Sequence, residues 1–79
     1  VSVVIRLQGN HIGMGDNTTG DASALLTLTS TTKGFLPPRM TTAQKNAIAT
    51  PAAGLIVYDT TLNKLCVRTV ATWETITSV

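Results

Sequence analysis

The chain has 79 residues, a formal net charge of +2, one cysteine (Cys66) and one histidine (His11), so it is one small domain at most, with neither an intrachain disulfide nor a metal cage within one chain. A chain this short buries only about 60% of its unfolded surface, and with no disulfide or metal available the remaining route to stability is oligomerisation. Six basic and four acidic residues lie scattered, which argues against nucleic acid, and no apolar run approaches the roughly 20 residues that span a membrane, which argues against membrane insertion.

The chain begins at Val1 with no initiator methionine or leader-like segment, and is expected to be a module that continues into further N-terminal sequence. Residues 1–8 alternate, with Val1, Val3, Ile5 and Leu7 on one face, and predict a half-buried strand. Gly9-Asn10 offers a turn. His11-Ile12-Gly13-Met14-Gly15-Asp16 puts its two glycines on one face, either for close approach by another backbone, which in a thin fibre belongs to another chain, or as an ordinary Gly-rich loop. Residues 17–21 are a polar turn cluster. Residues 24–29 predict a strand with Ala24, Leu26 and Leu28 on one face.

Pro37 and Pro38 fix φ and stiffen an extended passage that runs into a helix start. Thr41-x-x-Gln44 has the form of a capping box. Residues 42–49 predict a short helix that packs through Ala43, Ala47 and Ile48 and stops before Pro51. Gly54-Leu55-Ile56-Val57-Tyr58 is the strongest strand, and its continuous apolar run predicts cover on both faces, one by the helix and one by a partner subunit. Residues 59–63 form a turn, 64–69 the returning strand, 70–72 a second turn and 73–77 a last strand. The fold class expected is mainly β with one short helix, with that helix beside an antiparallel three-stranded meander. Fifteen threonines among 79 residues fit that β-rich expectation.

Ser30 to Gln44 resembles the STTKGFLPPRMTTAQ passage of phage tail-fibre and receptor-binding proteins, also found in trimeric bacterial surface fibres. The stretch Ala52 to Leu65, the Trp-containing strand at Ala71-Thr72-Trp73-Glu74, and the pair Ile12-Gly13-Met14-Gly15 and Ala22-Ser23-Ala24-Leu25-Leu26 extend the resemblance over residues 10–75. Leu26-Thr27-Leu28 lacks an acidic residue common in that strand, and Asn10 to Gly15 carries one extra residue. The resemblance implies an intertwined homotrimeric β fibre closed by a small knob, with residues 1–40 as the intertwined stalk segment and 41–79 as the α+β head, on a virion tail fibre or a bacterial surface fibre. The partner implied is a host or prey cell-surface glycan or protein.

On that reading the chain is a structural, adhesive, non-enzymatic module without cofactor. The alternatives are a trimerisation and registration module with no receptor role, and a fragment of a polysaccharide depolymerase. Candidate receptor contacts are the loop residues Thr60, Thr61, Leu62, Asn63, Ala71 and Thr72, since loops on rigid scaffolds carry binding. Phe35, Pro37, Pro38, Arg39 and Trp73 are expected to be structural, with Phe35 buried and Trp73 over the hairpin. Arg39 is expected to pair with Asp59, with Glu74 or with a backbone carbonyl of a neighbouring chain. Cys66 is expected to be a buried small hydrophobe. A lone polar role suits His11 better than an axial metal shared by three chains, because a His-x-His pattern is absent. Asp59 and Glu74 are the carboxylates nearest to a glycosidase pair.

Overall fold

The computed structural model describes residues 5–8, 11–15 and 22–77. The chain divides into two compact units, residues 1–35 and residues 36–79. Among the described residues it is mainly β, with one short helix and two small sheets.

In the first unit, β1 (Ile5–Gln8) pairs antiparallel with β2 (His11–Gly15), and β2 pairs parallel with β3 (Leu26–Thr29). The expected strand over residues 24–29 is thus two residues shorter. The register aligns Leu7, Ile12 and Leu26, and Met14 with Leu28, on one face. Period-2 patterning is what places these apolar residues together, and Leu7, Ile12, Leu26 and Leu28 are exposed on it. Gly15 has φ +109°, and a Cβ there would collide with the Thr29 carbonyl. The backbone that demands this glycine is therefore β3 of the same chain, rather than another chain. Residues 1–4, the Gly9-Asn10 turn and the cluster at 17–21 lie outside the described residues.

The second unit is a four-stranded sheet in the order β4 (Arg39–Met40), β5 (Ile56–Asp59), β6 (Lys64–Arg68), β7 (Trp73–Thr75). Strands β5 to β7 are the expected antiparallel meander. The fourth strand, β4, was not expected; it runs parallel to β5, with Arg39 opposite Tyr58 and Met40 opposite Asp59. The prolines create it: they hold the chain extended up to Pro38, whose carbonyl accepts from Tyr58 N at 2.8 Å.

Helix α1 (Thr42–Asn46) connects β4 to the rest of the sheet. The capping box is present: Gln44 N donates to Thr41 Oγ1 at 3.2 Å, and Thr41 N donates to Gln44 Oε1 at 2.9 Å. The helix ends earlier than the predicted 42–49, with Ala47 as its C-cap. Its packing also differs from the prediction. Ala43 and Ala47 are exposed, Ile48 is half-buried, and the buried residue is Lys45. Phe35, expected in a core, is 68% exposed.

Candidate functional site

The β5–β6–β7 registers sort the second sheet into two unlike faces. Val57, Asp59, Cys66, Arg68, Trp73 and Thr75 share one, and Ile56, Tyr58, Leu65, Val67 and Glu74 share the other. Ile76 extends the second face, since its N–H donates to the Leu65 carbonyl at 2.8 Å and continues the β6–β7 ladder. Arg39, opposite Tyr58 on β4, lies on the same side.

The first face is closed by α1, and its centre is ionic. Lys45 Nζ lies 3.0 Å from Asp59 Oδ2, and Asp59 has no exposed surface. Every acceptor site of that carboxylate is used: Thr42 Oγ1 donates to Oδ2 at 2.6 Å, and Thr61 N and Leu62 N donate to Oδ1 at 2.9 and 3.0 Å. Burial pushes the Asp59 carboxyl up, but the Thr42 hydroxyl, the Leu62 amide and Lys45 outweigh it and hold the group at about 2. Its hydrogen bond to Asp59 raises the Lys45 ammonium above its ordinary value, although burial opposes this. Lys45 Nζ also lies 3.6 Å from Cys66 Sγ and 5.7 Å from the Trp73 ring centroid, while Arg68 stands 6.0 Å from the same ring. Cys66 is buried as expected, but beside an ammonium and Thr75 rather than among purely apolar neighbours.

Among the described residues, nothing covers the second face in this way. Ile56 is 46% and Ile76 56% exposed, and Tyr58, Leu65 and Val67 are half-buried. The apolar run predicted to be covered on both faces is covered on one by its own chain. Val57 and Cys66 are the buried hydrophobic residues among those described.

Thr60, Thr61, Leu62 and Asn63 form the β5–β6 loop and are exposed, and Ala71 and Thr72 are exposed in the β6–β7 turn. The structure does not bring the two groups together, because they lie at opposite ends of β6. The first loop is braced by Asp59 and by Thr61 Oγ1, which accepts from Thr42 N at 3.2 Å. The second is held by Thr69 Oγ1, which accepts from Thr72 N at 3.0 Å and Ala71 N at 3.2 Å. Trp73 packs against Lys45 and Arg68 on the helix side. Arg39 is exposed and does not meet Asp59, whose charge Lys45 already neutralises. Asp59 and Glu74 point to opposite faces of the sheet and form no carboxylate pair. Among the described residues, no group of three His, Cys, Asp or Glu is placed to hold a metal ion.

The Lys45–Asp59 pair is the feature that sequence reasoning missed. A lysine on a short polar helix reads as solvated, and an aspartate before Thr-Thr reads as a turn former. The available signal was Asp59-x-Thr61-Leu62, since an aspartate often caps the N–H groups two or three residues on.

Residues 13–78 match the model of a family described as a phage tail-like trimerisation region. No curated protein and no solved structure matches the chain. Among the described residues, no helix is long and apolar enough to cross a membrane.

Proposed function

The chain belongs to the phage tail-like trimerisation family, and from that premise we propose that it is a structural, non-enzymatic module that holds three chains of a virion tail fibre together and in register. The observation that carries this reading is an imbalance of apolar surface. Val57 and Cys66 are buried, while Ile56, Ile76, Leu26, Leu28 and Phe35 are exposed. At roughly 25 cal/mol for each Å² removed from water, such surface stabilises an assembly far more than it can stabilise a lone chain. Small domains of this size commonly need oligomerisation to be stable.

Light scattering tests the reading directly. A solution mass near three chains is the expected result. A folded monomer at high concentration would overturn it.

A second reading adds host attachment, with Thr60–Asn63 as the contact. What favours it is the bracing of this exposed loop by Asp59, because a preorganised loop loses less entropy on binding. Threefold repetition would raise avidity without a strong single contact. Substituting Thr60, Leu62 and Asn63 together should then abolish cell binding while leaving the trimer intact. Unchanged cell binding would leave assembly as the sole role.

A further inference from the structure

Arg39 and Glu74 occupy the two outer strands of the second sheet, β4 and β7, and both lie on its open apolar face. Both are exposed. Neither takes part in a salt bridge among the described residues, where the one ion pair is Lys45–Asp59. Within a chain they cannot meet. Three inter-strand spacings of about 4.8 Å separate their strands, roughly 14 Å in all, and side chains stand perpendicular to a sheet rather than along it.

We propose that the open face of Ile56, Tyr58, Leu65, Val67 and Ile76 is the trimer interface of this unit, and that Arg39 of each protomer pairs across it with Glu74 of the next. This rests on the trimerisation reading above and names the partner surface: a second and a third copy of this chain. A threefold assembly requires a heterologous contact, in which two different patches of the protomer meet, and the two outer edges of this sheet are two such patches. The β4 edge is basic at Arg39 and the β7 edge is acidic at Glu74, so head-to-tail closure joins opposite charges at all three contacts. The apolar residues between the two edges are then enclosed, giving the arrangement of apolar centre and charged rim usual for protein interfaces. Along the strands, Arg39 is level with Tyr58, Leu65 and Ile76, and Glu74 lies two residues away from Ile76. That offset is about 7 Å, within the span of an arginine and a glutamate meeting end to end. The rim pair would fix the order and direction of neighbours more than it adds affinity.

Charge exchange tests the pairing in the full chain. Arg39→Glu and Glu74→Arg each place like charges at all three contacts. Each should raise the concentration at half-assembly by about tenfold, because three small rim terms of one sign add. The double variant Arg39→Glu with Glu74→Arg restores opposite charges and should return to within about threefold of the unmodified chain. Fluorescence of Trp73, on the other face, checks that each variant keeps its fold. Two outcomes overturn the pairing while trimerisation stands: single variants that assemble like the unmodified chain, or a double variant no better than the singles. An unmodified chain that stays monomeric overturns the trimerisation reading and this inference with it. Replacing Ile56 with Lys separates the face from the rim. It should abolish assembly, and an Ile56→Lys chain that still trimerises would place the interface elsewhere.

Discussion

Lys45 and Asp59 meet at 3.0 Å beneath helix α1, both almost wholly withdrawn from solvent. A buried pair of this kind fixes where the helix sits, because either charge left alone in that position is costly. The helix is five residues long and could not hold itself together in water. Its position depends on this pair and on the Thr42 hydroxyl that shares the same carboxylate.

Removing one partner should therefore be worse than removing both. Lys45→Met leaves the Asp59 carboxylate buried with its cation gone, and Asp59→Leu strands the ammonium. Each single variant should lower the melting midpoint markedly, and the Lys45→Met, Asp59→Leu double variant should melt above both. Trp73, the sole tryptophan, lies 5.7 Å from Lys45 Nζ and reports this unit by fluorescence.

Acid should loosen the same unit over a defined range. Folding lowers the Asp59 carboxyl from 3.8 to about 2, so the unfolded chain binds the proton more tightly. Its contribution to stability is complete above about pH 4 and is lost as pH falls towards 2. Lys45 has the opposite sign. Its folded value is raised above 10.5, so its contribution is complete below pH 10.5 and is lost as pH rises beyond the folded value. Urea midpoints read by Trp73 fluorescence at fixed chain concentration should fall on both limbs, and Asp59→Leu should flatten the acid limb.

The helix cap makes a smaller, separable contribution. Thr41→Ala removes the Thr41 side chain that accepts from Gln44 N and should cost about 1 kcal/mol. Thr41→Ser keeps the hydroxyl and should stay within a few tenths of a kcal/mol. Chemical denaturation of the two variants side by side checks this.

In the first unit, Gly15 admits no side chain. Gly15→Ala places a Cβ against the Thr29 carbonyl and at φ +109°. A strained backbone of this kind costs on the order of 1–3 kcal/mol before the collision is counted. Loss of β signal in the circular dichroism of Gly15→Ala, with Trp73 fluorescence retained, is the expected result.

Much of the second unit was legible in the chain. The meander could be read because Tyr58, Leu65 and Trp73 lie in short β-favouring runs separated by polar turns. The capping box could be read because its spacing is local. Strand β4 escaped notice because two residues are too few for any periodicity, and its partner Tyr58 lies 19 positions away from Arg39. Phe35 is exposed in the single chain because hydrophobicity gives a tendency to be covered, not the identity of the cover. Helix α1 likewise turns Lys45 rather than its alanines inward. Its alanines make too weak an apolar stripe to decide its orientation, and an ion pair between residues 45 and 59 decided it instead. For the open face, the continuous apolar run from Gly54 to Tyr58 did carry the signal: it called for two layers where a single chain supplies one.

The carboxylate of Asp59 gives the β5–β6 loop an unusual dynamic character. The amides of Thr61 and Leu62 lie in residues open to solvent, yet both donate to an acceptor that is fully buried. Exchange of their hydrogens with deuterated water must wait for those hydrogen bonds to the buried carboxylate to break. Two amides in an exposed loop should then exchange as slowly as the strands beside them. The loop and the helix share the Asp59 carboxylate, so changes at the loop's tip can alter surface chemistry without altering its shape.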